Sequence, residues 1–450
     1  MNIKNRIGKT PLIRAKELEE MLGISKIFLK LEGNNPSGNK IDRLSIMLLK
    51  DALAVKKDTI CLSGHTELAK SIASVSQFYD IECAFIFRKN SKLINSKSFN
   101  KANIKKIEYD TNKKKDCIEY SKKIAKEKGW YNANQGFENG MVNMTALSTI
   151  VDEINQQLKE PISTVFTQTS LGYGISGLHL GFRKLWMEDK IKNIPNLYSC
   201  TTDYGNIIYE EYKKNNLEID KEHLENKPIS KYNRMVMTSE TRMLKSVLDA
   251  IYDTGGRVTG VRDEELEKYV SEVKKLEKIK MTIHNGYSIA GFMKEAEAGN
   301  LINGNHVIIL NDGRISLEIE EITDKDIAPN IIVDLLYTWL MEYTDPKEEI
   351  SDAVHHAMKT GHILAAYQNN DIKGITVIVN LGFENFIPKY HLGYIATKKG
   401  GKGIATQLLN KAIEITDGNL SLHVDRDNKR AIKVYEKMGF KQSYIRMIHK

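Results

Sequence analysis

"IFLKLEGNNPSGNKIDR", residues 27–43, joins three kinds of local structure within one short stretch. The apolar run "KIFLKLE" is typical of a buried strand, and "NPSG" contains residues that favour a turn. The helical pattern "LSIMLLKDALAVKK" (44–57) follows directly. The stretch therefore predicts a strand that turns into a helix, with Lys40 at the start of that helix.

The same alternation of short apolar runs and long helical patterns continues along the chain as far as Asn311. Runs of this kind are typical of parallel strands that helices bury on both faces, which predicts an α/β fold. The expected strands include "TICLS" (59–63), "CAFIF" (83–87), "STVFTQ" (163–168), "MVMTS" (235–239) and "HVIILND" (306–312).

The size and charge of the chain limit the classes of protein to which it can belong. The chain has 450 residues, 41% hydrophobic and 28% charged, which predicts two domains of a soluble globular protein. The formal net charge is +8, but lysines alternate with glutamates along most helical stretches. This spacing indicates solvated helix faces and no nucleic-acid partner, while the positive field favours anionic small molecules such as coenzyme A.

Neither a membrane span nor an export signal is expected. No stretch approaches the roughly 18 consecutive apolar residues of a spanning helix, and the first residues lack the order of a signal peptide. The cysteines show no zinc or disulfide spacing. We therefore predict a cytoplasmic protein with no metal site and with reduced thiols at Cys61, Cys83, Cys117 and Cys200.

The order of elements changes after Asn311. From "SLEIEEITDKDI" (316–327) onward, the pattern predicts a strand, two helices and a hairpin in "HILAAYQNNDIKGITVIVNLG" (362–382). A strand "YHLGYIAT" (390–397), a glycine-rich turn, a helix, a strand "LSLHVD" (420–425), and a last helix and strand follow. This change predicts two domains, 1–315 and 316–450.

The glycine-rich turn opens a helix in "KKGGKGIATQLLNKAIE" (398–414). Its glycines allow a tight turn and leave several N–H groups at a helix amino terminus, where the dipole favours an anion. The turn therefore predicts a pyrophosphate cradle formed by Gly400, Gly401, Gly403, Ile404 and Ala405. A second motif, "NKRAIKVYEKMGF" (428–440), follows on the last predicted helix.

Together, the two motifs resemble the GNAT acetyltransferase family over residues 317–450. The resemblance implies a mixed α/β domain that binds acetyl-CoA through the cradle and Asn428. It also implies that Tyr435 donates a proton to the departing thiolate, as a phenol near the sulfur can. Gly400 stands where the family has Gln or Arg, which removes one side chain but spares the backbone donors.

Alternatives remain open for the acetyl-transfer residues. Tyr435 also lies on the apolar face of an amphipathic helix with Phe440, so packing alone would explain it. The general base is not fixed by the pattern. His391 precedes the cradle, His355 and His356 lie on an upstream helix, and each is also compatible with a structural role.

The first domain contains several matching motifs. "IGKTPLIRAKELEEMLGISKIFLKLEGNNPSGNKIDR" (7–43), "SGHT" (63–66), "NQGFENG" (134–140) and "HNGYSIAGFMKEAEAGNLINGNHVIILNDG" (284–313) resemble fold type II pyridoxal phosphate enzymes, such as cysteine synthase and threonine synthase. The resemblance implies a tryptophan-synthase-β-like, two-lobed fold over residues 6–314. Because many members are dimers, it also implies a homodimer.

The lysine of this family stands one position away from Lys40. The family segment reads N-P-(S/T)-G-S-x-K-D-R, and its lysine forms the Schiff base with the cofactor; the aligned residue here is Ile41. Each helical residue turns about 100°, so we expect Lys40 to point away from the family direction. Lys40 is then either a solvated lysine or a relocated attachment lysine.

The resemblance also implies which other residues contact pyridoxal phosphate or a replacement ligand. The phosphate loop corresponds to "SLGYGISG" (170–177), in which Tyr173 replaces a glycine. His65 replaces the family asparagine, and Glu67 replaces a glycine. The contacts are expected at Ser63, Gly64, His65, Thr66, Gly172, Gly174, Gly177 and Asn311.

These observations lead to three functional hypotheses. The first is transfer of an acetyl group from acetyl-CoA to the amine of an amino acid or another small metabolite, with a non-catalytic first domain. The second is a bifunctional enzyme, in which a pyridoxal phosphate-dependent synthase or lyase domain supplies the acetyltransferase. The third is a silent ligand-binding or scaffold domain attached to an acetyltransferase.

Overall fold

The computed structural model describes residues 7–24, 26–214, 229–368, 371–384, 387–398 and 403–443. The chain divides into two compact units, Met1–Arg314 and Ile315–Lys450. Within the ranges just given, no helix combines the length and the apolar character needed to cross a membrane. Gly400 and Gly401, both expected in the pyrophosphate cradle, lie outside the described residues.

The first unit alternates strands with helices. Its strands are β1 (Leu12–Arg14), β2 (Ile27–Leu31), β3 (Thr59–Ser63), β4 (Glu82–Arg88), β5 (Ile104–Tyr109), β6 (Tyr131–Asn132), β7 (Ile162–Gln168), β8 (Asn196–Thr202), β9 (Arg257–Val261), β10 (Ile279–Lys280) and β11 (Asn305–Leu310), and β12 (Arg314–Ile315) lies at its end. Its helices are α1 (Lys16–Leu22), α2 (Ile41–Ala54), α3 (Glu67–Val75), α4 (Lys114–Lys128), α5 (Gly140–Gln157), α6 (Tyr173–Met187), α7 (Ile207–Lys214), α8 (Leu244–Thr254), α9 (Asp263–Leu276) and α10 (Tyr287–Glu297).

Two large sheets organise this unit, and β10 pairs with β12 in a small two-stranded sheet. The larger has the order β1-β2-β11-β7-β8-β9, in which β1 is antiparallel to β2 and the other pairs are parallel. The smaller, with the order β5-β4-β3-β6, is parallel throughout. β3 and β11 are buried along their whole length, because helices cover both faces of each sheet. The predicted α/β fold with two lobes is therefore confirmed.

The run "MVMTS" (235–239) does not form the predicted strand. It continues a 3-10 turn, Asn233–Met235, and makes one isolated bridge at Thr238. The Ser230 N–H donates to Asn233 Oδ1 at 2.9 Å, and the Asn233 N–H donates to Ser230 Oγ at 3.1 Å. These side chains satisfy the local backbone and stabilise a turn in place of strand pairing.

The second unit contains one mixed sheet. Its strands are β13 (Glu318–Glu321), β14 (His362–Gln368), β15 (Asp371–Asn380), β16 (Tyr390–Thr397) and β17 (Leu420–Leu422), and its helices are α11 (Pro329–Leu340), α12 (Lys347–Thr360), α13 (Ile404–Ile415) and α14 (Lys429–Lys437). The strands pair in chain order, antiparallel except for β16 with β17. One apolar cluster joins α11 and α12 to the sheet, and another joins α13 and α14 to it. The predicted last strand falls at residues 441–450, of which 444–450 lie outside the described residues.

A buried network of charges connects the start of α2 to the rest of the first unit. Arg43 contacts Glu32 through Nε at 2.7 Å and Glu153 through Nη1 at 2.8 Å. Lys30 contacts the same Glu153 at 2.9 Å. The side chains of Lys30 and Glu32 are fully buried, and that of Arg43 is 3% exposed. Two positive and two negative side chains thus neutralise one another inside the protein.

The network also fixes the segment that precedes β1. The Lys9 N–H donates to Glu153 Oε1 at 2.8 Å, and the Thr10 hydroxyl donates to Glu32 Oε1 at 2.7 Å. The adjacent cations lower the pKa of Glu153 to about 2, against the desolvation that opposes this shift. Because this carboxylate is more acidic in the folded than in the unfolded chain, its contribution to stability is present above pH about 4.5 and is lost toward pH 2.

Glu153→Gln should lower the free energy of unfolding at pH 7 by about 3–5 kcal/mol, because Arg43 and Lys30 lose a buried counter-charge. Its stability should also depend less on pH between about 4.5 and 2 than that of the parent. Urea unfolding at several pH values measures both effects. Glu160→Gln is the matched control: its partner Lys26 is 43% exposed, and a surface pair contributes about 0–1 kcal/mol. Equal losses in the two variants would contradict the role of the network.

Candidate functional site

Lys40 lies immediately before α2 and caps its amino terminus. Its N–H donates to the carbonyl oxygen of Asn311, just after β11, at 2.9 Å. Its Nζ lies 3.5 Å from the position that a Cβ on Gly174 would take. The Lys40 amine is therefore next to the glycine loop that follows β7, whereas Ile41 packs against the apolar core.

Lys40 follows a turn and precedes α2, and its backbone angles are already helical, with a φ of −59° and a ψ of −19°. The Asp42 carboxylate holds this turn by accepting from the Ser37 N–H at 2.7 Å and from the Ser37 hydroxyl. The turn thus directs Lys40 toward the loop, and the first helical position faces the core.

Burial changes the protonation of the Lys40 amine. Desolvation lowers its pKa to about 8, and the negative charge of Glu32 partly opposes this shift. An amine in this range is neutral in an appreciable fraction of molecules near neutral pH. Lys40 can therefore act both as a nucleophile and as a proton carrier.

The loop between β7 and α6 presents a helix amino terminus. Gly172 caps α6 with a φ of 98°, a left-handed conformation that glycine adopts without strain. The Tyr173 side chain is 6% exposed and donates its hydroxyl to the carbonyl oxygen of Gly136 at 2.9 Å. The replacement of the family glycine thus adds a buried side chain, and the start of this long helix remains a suitable anion site.

Gly177 has a different function from Gly172. A Cβ on Gly177 would lie 2.6 Å from the carbonyl oxygen of Met144 in α5. This distance is far below van der Waals contact, so Gly177 allows α5 and α6 to pack closely. Its geometry indicates helix packing as the reason for the glycine.

Several buried polar side-chain atoms of the larger sheet and of α6 have no hydrogen-bond partner among the described residues. They lie at the carboxyl ends of the adjacent strands β11, β7 and β8 and in the first turn of α6. These atoms are Asn311 Oδ1, Gln168 Oε1, Thr201 Oγ1 and Ser176 Oγ. Buried polar groups are nearly always hydrogen-bonded, and Asn311 adjoins Lys40, so Asn311 Oδ1 indicates a polar ligand beside the amine. Together with a free amine and a helix amino terminus, it fits pyridoxal phosphate.

The "SGHT" segment joins β3 to α3 in the smaller lobe. Thr66 caps α3 by accepting from the Ala69 N–H at 3.1 Å. A Cβ on Gly64 would lie 2.4 Å from the Phe87 ring, and the Ser63 N–H donates to Asn134 Oδ1 at 3.1 Å. These contacts fix the loop between its strand and its helix.

The two replaced residues of this loop have different environments. His65 Nε2 accepts from the Arg88 N–H at 2.9 Å, so the neutral ring carries its proton on Nδ1. Glu67 is exposed and pairs with Lys70 at 2.7 Å. The carboxylate that the sequence suggests near the site therefore has a partner on its own helix.

The parallel strands β16 and β17 of the second unit pair over only part of their length. Their register joins Tyr390 to Leu420 and ends at Leu392 with Leu422. Opposite β15, the register of β16 shifts by one residue at Gly393. In the described part of the chain, the second half of β16 thus has no partner on the β17 side.

The described part of the predicted cradle lies at the start of α13. Gly403 caps this helix with a φ of 77°, and no atom of the described residues lies within 4 Å of the position of a Cβ there. Ile404 is buried in the apolar cluster beneath the helix, and Ala405 is half-buried. Gly403 therefore presents open space and a left-handed backbone at a helix amino terminus.

Asn428 and Tyr435 lie at the two ends of α14. Asn428 caps the helix by accepting from the Ala431 N–H at 3.0 Å, which explains its residue type locally. Tyr435 packs edge-to-face with Phe440, with ring centroids 6.0 Å apart, and burial raises the pKa of its hydroxyl. A phenol with this shift keeps its proton at neutral pH and can donate it.

The three histidines considered as bases lie in two places. His355 and His356 are exposed on α12, and they contact the carbonyl oxygens of Ser351 at 2.8 Å and Asn380 at 3.1 Å. His391 lies on β16, opposite Ser421 of β17. Its ring is 4.5 Å from that of His423, which sequence reasoning missed. The alternation of "LSLHVD" could have suggested His423, because Ser421 and His423 share one face of a strand.

Comparison with known proteins finds one matching family for each of the two units. The family "Pyridoxal-phosphate dependent enzyme" matches residues 3–313, and the "Acetyltransferase (GNAT) family" matches residues 333–440. Threonine synthase of Methanocaldococcus jannaschii is 24% identical over 315 residues, which are 68% of this chain and 74% of that protein. Threonine synthase of Methanosarcina acetivorans is 21% identical over 72% of this chain and 79% of its own length.

Solved structures support the fold of the first unit. Threonine deaminase isoform 2 of Solanum lycopersicum has a TM-score of 0.57 at 14% identity, covering 70% of this chain and 82% of that one. A hydrogen sulfide-producing enzyme of Fusobacterium nucleatum has a TM-score of 0.52 at 16% identity, covering 69% and 97%. Because one family match spans nearly the whole first unit, the chain belongs to the pyridoxal-phosphate dependent enzymes and carries a GNAT acetyltransferase domain after that unit.

Proposed function

We propose that the chain is a bifunctional enzyme. Its first domain carries out pyridoxal phosphate-dependent chemistry on a small amino acid, and its second transfers an acetyl group from acetyl-CoA to an amine of an amino acid or a related metabolite. One observation carries this proposal: the Lys40 Nζ lies 3.5 Å from the position of a Cβ on Gly174. This position favours a first domain that carries out pyridoxal phosphate chemistry over a first domain without catalytic activity.

Different residues of the first domain would bind the cofactor and transfer the proton. Pyridoxal phosphate, when bound, withdraws electrons from the α-carbon of an amino acid and stabilises negative charge there. The amino terminus of α6 would bind its phosphate, and Asn311 would hydrogen-bond its ring. The Lys40 amine would attach the cofactor and then carry the proton that leaves or returns to the α-carbon.

The residues of the second domain support acetyl transfer. The second half of β16 has no described partner on the β17 side, so its backbone groups could pair with an extended ligand, and Gly403 begins α13 with amide N–H groups suited to a pyrophosphate. The Tyr435 hydroxyl, whose pKa burial raises, can supply the proton that the departing thiolate needs. The acceptor class follows from the amino-acid chemistry of the first domain.

The acetyltransferase with a non-catalytic first domain remains the competing hypothesis. Both hypotheses use the second domain in the same way and differ only at Lys40. The homodimer implied by the resemblance is part of the proposal and independent of this choice. Attachment of the cofactor therefore distinguishes the two hypotheses.

Gly403→Val should weaken the binding of acetyl-CoA roughly tenfold, because a β-branched residue in the left-handed conformation is strained by about 1–2 kcal/mol and will reshape the helix start. Isothermal titration calorimetry measures the affinity. Gly418→Val is the matched control: Gly418 has a φ of 73° and equally open space, but it follows α13. Equal affinities of the two variants would remove the start of α13 from the coenzyme site.

Incubation with pyridoxal phosphate followed by borohydride should fix the cofactor on Lys40. Lys40→Ala should abolish the visible absorbance band and the label, because the other side chain at this turn, Ile41, has no amine. Peptide mass spectrometry locates the label, and the exposed Lys70→Ala variant should keep it. A parent protein labelled elsewhere, or not at all, would establish the silent first domain instead.

Tyr435→Phe should lower acetyl transfer about a hundredfold and leave the affinity for acetyl-CoA unchanged, because only proton donation is lost. Thiol release from acetyl-CoA, with the twenty common amino acids as acceptors, measures the rate. Tyr367→Phe alters a half-buried tyrosine of β14 and serves as the control. If the Tyr435→Phe variant turns over at the parent rate, Tyr435 contributes packing alone.

A further inference from the structure

The Tyr173 side chain connects two segments of the first unit. Its backbone is the first residue of α6, in the glycine loop that follows β7. Its hydroxyl donates to the carbonyl oxygen of Gly136 at 2.9 Å, and its ring atom Cε1 lies 3.8 Å from the position of a Cβ on Gly140. One side chain therefore joins the glycine loop to the NQGFENG segment (134–140), which leads from β6 to the start of α5.

The backbone on either side of Tyr173 is closely confined. A Cβ on Gly172 would lie 2.4 Å from Val247 Cγ2, so α8 packs directly on this turn. A Cβ on Gly174 would lie 3.5 Å from the Lys40 Nζ. An anion held by the N–H groups at the start of α6 would therefore fix the backbone from which the Tyr173 side chain extends.

The NQGFENG segment is connected in turn to the SGHT loop. Asn134 Oδ1 accepts from the Ser63 N–H at 3.1 Å, and the Asn134 carbonyl oxygen accepts from Asn139 Nδ2 at 2.9 Å. A restraint at Gly136 therefore acts on a segment whose first residue holds the end of β3.

The Tyr173 hydroxyl remains a donor at neutral pH. The side chain is 6% exposed, and desolvation and the charge of Glu240 raise its pKa to about 12, against the opposing charge of Arg242. The Arg242 guanidinium lies against the same segment, with Nη1 3.1 Å from the position of a Cβ on Gly136. Because the hydroxyl keeps its proton and is buried, loss of its bond to Gly136 would leave a polar group unsatisfied.

We infer that Tyr173 couples binding at the start of α6 to the position of the NQGFENG segment. The inference rests on the proposed function, in which the amino terminus of α6 binds the phosphate of pyridoxal phosphate. Binding there restrains the Tyr173 backbone, and the side chain passes this restraint to Gly136 through its hydroxyl. By linkage, a segment already held at Gly136 favours binding to the same degree. Tyr173 is thus a positioning residue, and a glycine at this place, which has no side chain, would lack the connection.

Packing of the ring alone is the competing explanation, because Tyr173 also belongs to the main apolar cluster of the unit. The two explanations differ at the hydroxyl. Tyr173→Phe keeps the ring beside Gly140 and removes only the bond to Gly136. Tyr269→Phe is the matched control, because Tyr269 is 5% exposed and its hydroxyl joins α9 to Glu297, the last residue of α10, at 2.5 Å.

Hydrogen exchange of the full chain, measured by mass spectrometry, tests the connection with and without pyridoxal phosphate. Without it, Tyr173→Phe should speed exchange in peptides covering 134–140 about fivefold, the factor that one typical hydrogen bond represents. At saturating pyridoxal phosphate, exchange in these peptides should slow in the parent and in Tyr269→Phe. In Tyr173→Phe, it should slow only in peptides covering 170–177. Equal exchange of the parent and Tyr173→Phe in peptides covering 134–140 would overturn the inference.

Affinity separates this inference from the proposed function. In an absorbance titration, Tyr173→Phe should weaken the binding of pyridoxal phosphate about fivefold, and Tyr269→Phe should leave it unchanged. If the parent binds pyridoxal phosphate and Tyr173→Phe binds it equally well, the coupling is refuted and the proposed chemistry stays intact. A parent that binds no pyridoxal phosphate rejects the proposed activity of the first domain together with the coupling.

Discussion

The buried network of Glu32, Arg43, Glu153 and Lys30 is the constraint on which the first site depends. Arg43 is held from both sides, and it lies one helical turn after Lys40. A buried charge is stable only beside its partners, so the start of α2 cannot rotate or slide without breaking the network. The direction of Lys40 is thus set by contacts with β2 and α5. Glu32 connects the charge network to the chemistry of the site, because its charge also favours the protonated form of the Lys40 amine.

Most of the fold follows from local pattern, and the exceptions have identifiable causes. Buried parallel strands such as β3 and β11 are continuous apolar runs, which the sequence displays directly. The run "MVMTS" has the same composition but follows Ser230 and Asn233, whose side chains stabilise a turn. Composition alone does not distinguish these cases, because the deciding hydrogen bonds come from residues outside the apolar run.

The site was less predictable than the fold, because small displacements of single side chains decide it. Motif comparison pointed to Lys40 and the glycines around it, but counting residues along a helix does not show which elements lie beside the Lys40 amine. Tyr173 replaces a glycine of the family motif, and in the structure its buried hydroxyl donates to a backbone carbonyl oxygen. His423 belongs to neither motif, and only the pairing of β16 with β17 brings it to His391. Such contacts depend on register, which residue spacing within one segment does not contain.

The partial pairing of β16 and β17 also affects how the second domain persists as a folded protein. Among the described residues, the second half of β16 has no partner on the β17 side, and edges with free N–H and C=O groups recruit other chains. A ligand with amide groups that lies along this part of β16 would complete the ladder and bind only the folded state. The solubility and lifetime of this domain would then rise with the concentration of that ligand, quite apart from turnover.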